Sequence, residues 1–154
     1  MSPRQKYKRL REKYKLPPLE KLEAMFAFKL GKDSENVLFD VCKGIFESIE
    51  FAKDILEPIL FLNEGSKPSD FYEASLIEKR KCFSVYKKVM GLRWKYAKLY
   101  FDSREKNLVS FINESYEIWK KDIQKKLIEL TDKLEKGWKN YKIKSKEEKQ
   151  TYLG

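Results

Sequence analysis

The sequence contains no histidine, so the side chain that most often acts as a general base or metal ligand is missing. It has only two cysteines, Cys42 and Cys82, and they lack the C-x-x-C spacing of zinc and redox sites. We expect both to be free and buried rather than bonded to each other. No glycine-rich phosphate loop and no G-x-S-x-G element is present. These absences predict a protein that is not an enzyme and binds no metal or cofactor, and they leave open only an enzyme built on carboxylates and lysines.

Glycine and proline are also scarce, with six and five residues among 154. No apolar run approaches the roughly 20 residues that a membrane-spanning helix needs, and no secretory h-region follows the first residues. We therefore expect an intracellular, cytoplasmic protein. The abundance of Lys and Glu favours helices, and it is also typical of thermophilic composition. Hydrophobic residues make up 42% of the chain, which is enough for a proper core.

Capping residues and prolines predict a basic first helix and a short second one. Ser2 begins a capping box, and the proline pair after Leu16 stops the first helix. The second helix is predicted from about residue 18 to 30, with Gly31 in the position that follows a helix end.

A long third helix is predicted after Asp33 or Ser34, either of which could cap it. Apolar residues there alternate by four and three, which is a heptad pattern: Leu38, Cys42, Ile45, Ile49, Ala52, Leu56 and Ile59. Pro58 should kink the last turn or end the helix nearby.

Two further long helices complete the prediction. The fourth follows the loop at residues 63–70, with Ser69 or Asp70 as its cap, and its predicted core stripe is Leu76, Phe83, Tyr86, Met90, Trp94, Ala97 and Phe101. The fifth follows Asp102 or Ser103 as cap, and its stripe is Leu108, Ile112, Trp119, Ile123, Leu127, Leu130, Leu134 and Trp138.

The predicted fold is all-α, an antiparallel helical bundle of three long helices plus a short helix, with a basic N-terminal helical extension. The extension covers residues 1–16, the bundle domain 17–142, and a flexible C-terminal tail 143–154. The long helices could instead form an extended antiparallel coiled coil, or a homo-oligomer through the end of the fifth helix.

Charge is unevenly distributed along the chain. Residues 33–78 carry a net charge of −8, and residues 79–101 carry +8 without a single acid. In an antiparallel hairpin turning near Ser66, position i of the third helix would lie opposite about 132 − i of the fourth. Acids at Asp40, Glu47 and Glu50 would then be within reach of basic residues on the fourth helix, namely Lys81, Lys88, Arg93 and Lys95.

These pairs do not account for all of the basic residues, because one continuous basic face of the fourth helix is left partly unpaired in this prediction. It consists of Arg80, Ser84, Lys87, Gly91, Lys95 and Lys98. Gly91 on this face would allow close approach of a phosphate, or alternatively a tight helix crossing inside the bundle.

The first fifteen residues are the stronger of the two candidate sites. They carry a net charge of +6 and include two tyrosines, a pattern typical of nucleic-acid backbone binding with aromatic stacking. The candidate residues are Arg4, Lys6, Tyr7, Lys8, Arg9, Arg11, Lys13, Tyr14 and Lys15. A solvated basic tail is the alternative, and the thin apolar face argues against membrane binding.

Four carboxylates, Glu47, Glu50, Asp54 and Glu57, line one face of the third helix. No second carboxylate helix accompanies them, so a solvated or lysine-paired face is favoured over a metal site.

The sequence thus predicts a non-enzymatic helical protein that associates with nucleic acid, RNA or a ribonucleoprotein ahead of DNA, by electrostatic contacts of low specificity. The alternative is a helical interaction or assembly module that binds an acidic protein partner or forms a homo-oligomer.

Overall fold

The computed structural model describes residues 1–61 and 79–140. Within these ranges the chain is helical and contains no strand. The helices are α1 (Pro3–Tyr14), α2 (Leu19–Phe26), α3 (Val37–Leu60), α4 (Lys79–Lys98), α5 (Glu105–Ile118) and α6 (Gln124–Asn140), with a π-helical segment (Trp119–Ile123) joining α5 to α6. The predicted loop at 63–70, the fourth-helix caps, Leu76 and the tail at 143–154 lie outside the described residues.

The capping box of α1 is confirmed. The Ser2 hydroxyl accepts a hydrogen bond from the Gln5 backbone N–H at 3.2 Å, and the Gln5 side chain accepts one from the Ser2 N–H at 2.9 Å. Tyr7 is 1% exposed, and its hydroxyl donates to the Pro17 carbonyl at 2.6 Å. Because α1 packs against α2 and α3 through this ring, the basic helix contributes to the core rather than projecting from it.

The segment between α2 and α3 differs from the prediction at both ends. The helix α2 stops at Phe26, with Ala27 in the left-handed conformation, so Gly31 does not follow its end. The Leu30 N–H donates to the Glu23 carboxylate at 2.9 Å, which folds residues 27–30 back towards α2.

The cap of α3 is Asn36, so the prediction of Asp33 or Ser34 was wrong. The Asn36 side chain accepts a hydrogen bond from the Phe39 N–H at 3.2 Å. Ser34 cannot fill this role because its hydroxyl donates to the carboxylate of Asp40 instead.

The heptad seam of α3 is confirmed, since all seven of its predicted residues are buried. The helix ends at Leu60, two residues after Pro58. Gly44 is also buried, and a Cβ added there would lie 2.4 Å from the ring of Phe28. The segment after α2 therefore packs closely on the backbone of α3.

The helix α4 runs antiparallel to α3, as two cross-helix contacts show. Arg93 Nε donates to Glu50 Oε1 at 2.6 Å, and the Tyr86 hydroxyl donates to Glu57 Oε1 at 3.3 Å. In both pairs the residue numbers total 143, so position i lies opposite about 143 − i. The predicted register of 132 − i was wrong because it assumed a turn centred near Ser66.

The predicted core stripe of α4 was also wrong. Phe83 is 47% exposed, Trp94 60% and Phe101 92%. The buried row consists of Cys82, Val85, Val89, Leu92, Tyr96 and Leu99. This largely aliphatic row packs against the seam of α3, in which the small Cys42 and Ala52 lie between larger leucines and isoleucines.

The long fifth helix of the prediction is present as α5, the π-helical segment and α6. Of its predicted stripe, Leu108, Ile112, Trp119, Ile123 and Leu130 are buried, Leu127 and Leu134 are half-buried, and Trp138 is 46% exposed. Phe111 and Ser115 are buried too, although the stripe omitted them.

The residue that caps α5 is Arg104, not Asp102 or Ser103. The carboxylate of Asp102 instead accepts a hydrogen bond from Arg104 Nε at 2.8 Å, and this contact lowers the pKa of Asp102 to about 2.

Both cysteines are free and buried, as predicted. Cys42 lies 3.6 Å from the Leu108 carbonyl, to which its thiol donates a weak hydrogen bond. Burial raises the pKa of both thiols, so they stay protonated at neutral pH.

Candidate functional site

The side of α4 that faces away from the core carries three cations, two aromatic rings and one glycine. We call it the outer face of α4, and its members are Arg80, Phe83, Lys87, Gly91, Trp94 and Lys98. They follow one another at intervals of three or four residues, so they form one continuous row. All six are exposed, and none belongs to the buried row that contacts α3.

The three cations of this face, Arg80, Lys87 and Lys98, have side chains that make no ion pair or hydrogen bond with the described residues. By contrast, Lys95, which the sequence grouped with them, donates to Ser110 Oγ at 2.9 Å and pairs with Glu114. The outer face therefore keeps three positive charges that the described part of the fold does not neutralise.

Other predicted charge pairs of α4 exist in part, but often with different partners. Arg93 pairs with Glu50 on α3, as the prediction allowed. Lys88 Nζ lies 3.4 Å from Asp122 Oδ1 in the π-helical segment, which the sequence did not suggest. The basic charge of α4 is thus met partly by α3 and partly by the helix that follows.

The two rings of the outer face have support from neighbouring side chains. The Arg93 guanidinium carbon lies 5.6 Å from the centre of the Trp94 ring, within the range of a cation–π contact. The Phe83 ring centre lies 6.2 Å from that of Tyr86. Both rings remain about half exposed, which is unusual for large aromatic side chains.

Gly91 lies between Lys87 and Trp94, and a Cβ added there would meet no atom within 4 Å. The prediction that Gly91 serves a tight helix crossing was therefore wrong. Its bare backbone instead leaves an open space in the middle of the outer face.

The predicted basic site on α1 is divided by the fold. Tyr7 is buried, and Arg4 donates to both carboxylate oxygens of Glu23, at 2.8 and 2.9 Å. Tyr14 donates to the carboxylate of Glu105, and Arg11 Nε donates to the Leu16 carbonyl at 3.3 Å. Lys13 Nζ also lies 3.8 Å from the Glu105 carboxylate.

Four cations of the predicted α1 site remain exposed, with side chains that form no ion pair or hydrogen bond to residues 1–61 or 79–140: Lys6, Lys8, Arg9 and Lys15. Because α1 turns Tyr7 towards the core, Arg9 lies on the opposite, outward side of this helix, and Lys8 is exposed on its flank. The helix α1 packs against α2 and α3, whereas α4 packs against α3 and α5, so the two basic faces belong to helices with different neighbours.

Three members of the carboxylate row of α3, Glu50, Asp54 and Glu57, contact basic or hydroxyl groups. Lys53 Nζ lies 2.9 Å from Glu50 and 3.6 Å from Asp54. Although partial burial opposes the effect, the hydrogen bonds from Lys53 and Arg93 lower the pKa of Glu50. No group of three potential metal ligands occurs in the part of the chain that the structure describes.

Two buried polar atoms have no hydrogen-bond partner within the described structure, Ser115 Oγ and Trp119 Nε1. They are one helical turn apart, at the start of the π-helical segment. The ring of Trp119 packs on Phe26, with ring centres 5.1 Å apart. No side chain with the chemistry of a nucleophile or base accompanies them, so they carry no functional assignment.

Comparison with known proteins gives no family model, no curated protein and no solved structure that matches this chain. In addition, none of the described helices is both long and apolar enough to cross a membrane. Any proposal about function therefore depends on the arrangement of side chains, and above all on the outer face of α4.

Proposed function

We propose that this chain is a non-enzymatic, cytoplasmic helical protein that binds nucleic acid through the outer face of α4, with RNA or a ribonucleoprotein ahead of DNA. In this proposal the helices form an antiparallel bundle, and the basic helix α1 adds a second, weaker site. Recognition is mainly electrostatic, so it depends little on sequence.

The observation that carries the proposal is the row of exposed cations without partners in the described structure. From Arg80 to Lys98 the row extends over 18 residues, or about 27 Å along the helix axis. A polyanion with regularly spaced phosphates can contact Arg80, Lys87 and Lys98 together, whereas a small anion can contact only one of them. Two of the three are lysines, which suit phosphates better than base edges.

A salt titration tests this proposal. Affinity for random-sequence RNA and DNA should fall steeply as the salt concentration rises, because phosphate binding releases condensed counterions. The measurement is fluorescence anisotropy of labelled oligonucleotides at several salt concentrations. Absence of binding to every nucleic acid at low salt would reject the proposal.

Exposed aromatic residues away from the outer face favour a second candidate function, the assembly module. Tyr100 and Phe101, at the turn after α4, are 67% and 92% exposed, and Phe51 on α3 is 68% exposed. Aromatic residues are enriched at protein interfaces, so these side chains could contact an acidic partner or a second copy of the chain. Light scattering over a range of concentrations tests self-association, and a monomer throughout would count against the homo-oligomer.

A further inference from the structure

The two exposed rings on the outer face of α4 narrow the class of nucleic acid that fits it. In a duplex the faces of the bases are covered by their neighbours, whereas unpaired bases can stack on aromatic side chains. Resting on the nucleic-acid binding proposed above, we propose that the outer face of α4 binds single strands. Trp94 and Phe83 stack on bases, while Arg80, Lys87 and Lys98 contact phosphates.

Spacing along the helix supports this arrangement. Phe83 and Trp94 are eleven residues apart, which is close to three full turns, so their rings lie on the same side of α4. Their separation along the axis is about 16 Å. Lys87 and Gly91 lie between them. A nucleic-acid strand that stacks on both rings therefore passes a positive charge and an open stretch of backbone.

The environment of Trp94 favours stacking with little loss of side-chain freedom. Its ring already contacts the guanidinium of Arg93, and Arg93 is itself held by Glu50 at 2.6 Å. A ring that is held in place before binding has less conformational entropy to lose. Because Trp94 is 60% exposed, most of its surface remains available to a base.

The length of the face predicts the size of the binding site. A stacked strand carries one phosphate about every 3.4 Å, so the 27 Å from Arg80 to Lys98 matches about eight nucleotides. Extended strands need fewer nucleotides to cover the same distance. Affinity should therefore rise with oligonucleotide length and level off near about eight nucleotides or slightly below.

The test compares single-stranded RNA, single-stranded DNA and their duplexes of matched sequence by fluorescence anisotropy, at lengths from about 4 to about 20 nucleotides. The intact chain should bind single strands at least about tenfold more tightly than duplexes. Trp94→Ala should weaken single-strand binding about tenfold with little effect on duplex binding, and Trp94→Phe, which keeps a ring, should recover most of the loss.

Phe51→Ala is the matched control, because Phe51 is as exposed as Trp94 but lies on α3. It should leave single-strand binding unchanged, and circular dichroism checks that every variant is folded. Equal affinity for single strands and duplexes, unaffected by Trp94→Ala, would overturn this inference but leave the proposed function standing. Failure of the folded intact chain to bind either form would overturn both.

Discussion

At the scale of single residues, Tyr7 and Phe101 mark the two extremes of aromatic burial. Tyr7 is 1% exposed and hydrogen-bonded to Pro17, whereas Phe101 is 92% exposed. Tyr7→Ala should lower the free energy of unfolding by about 3–5 kcal/mol, because it leaves a cavity and an unpaired carbonyl. Phe101→Ala should change it by less than about 0.5 kcal/mol. Urea unfolding measures both, and equal effects would contradict the position of α1 in the core.

The same tyrosine gives a prediction about alkaline pH. Burial raises the pKa of Tyr7 well above its usual value, so the folded state favours the neutral phenol. Its contribution to stability is present below the unfolded pKa of about 10 and is lost as pH rises above that value. In urea unfolding at increasing alkaline pH, the intact chain should lose stability faster than Tyr7→Phe. Identical pH profiles would show that Tyr7 is not buried.

The burial of Tyr7 could have been predicted from the sequence. Tyr7, Leu10 and Tyr14 recur at helical spacing, which indicates a buried stripe as readily as a stacking surface. The ion pair of Arg4 with Glu23 could not have been predicted from the sequence, because it depends on how α1 packs against α2. Net charge alone overestimated the number of cations that α1 leaves available.

At the scale of the elements, replacing two glycines in neighbouring helices by alanine should change the stability of the protein in opposite directions. A Cβ at Gly91 meets open space, so Gly91→Ala should stabilise α4 by up to about 1 kcal/mol. A Cβ at Gly44 would overlap the ring of Phe28, so Gly44→Ala should destabilise by about 1–3 kcal/mol. Thermal and urea unfolding of the two variants measure the difference. Destabilisation by Gly91→Ala would contradict the open position of that face.

The helix α4 shows where sequence patterns stop being decisive. It carries two apolar rows with the same alternation of three and four, one mainly aliphatic and one rich in aromatic residues. The aromatic row was predicted to be the core stripe, but the fold buries the row that contains Val85, Val89 and Leu92. The choice depends on the shape of the seam on α3, which one helix cannot reveal. By contrast, the burial of the heptad seam of α3 was predicted correctly, although Val37 and Val41 are buried beside it.

The register between α3 and α4 could not be predicted from the sequence either, because an apolar pattern on each helix does not fix how the two helices align. The heptad pattern allows α4 to slide along α3 by whole repeats while apolar residues still meet. The observed pairs Glu50–Arg93 and Glu57–Tyr86 select one register. Charge complementarity correctly predicted that the two helices pair, but it did not fix their alignment.

At the scale of the whole molecule, the basic charge divides into two outward surfaces, one on α1 and one on α4. If α4 is the main site, Lys8→Gln with Arg9→Gln should weaken nucleic-acid binding only about two- to threefold, through the general loss of charge. Anisotropy titration measures this effect. A larger loss from the α1 pair than from changes on α4 would move the site to α1. Deletion of residues 1–15 is a poorer test, because it also removes the buried ring of Tyr7.

In the proposed function, the cations on the outer face of α4 bind nucleic acid, and positive charge elsewhere on the protein does not replace them. The most direct measurement compares two triple variants with the same change in charge. One variant combines Arg80→Gln, Lys87→Gln and Lys98→Gln. The other replaces by Gln three exposed lysines that pair with nearby acids, Lys121 in the π-helical segment and Lys136 and Lys139 in α6. Affinity for a single-stranded oligonucleotide is measured by anisotropy as a function of salt.

If the outer face of α4 binds the phosphates, the α4 variant loses most of its affinity and its log–log salt slope becomes shallower by about 2, as expected for three lost phosphate contacts. The control variant keeps nearly the slope of the intact chain. Equal losses of affinity and slope in the two variants would contradict a binding site on α4, because they would show that net charge alone determines binding.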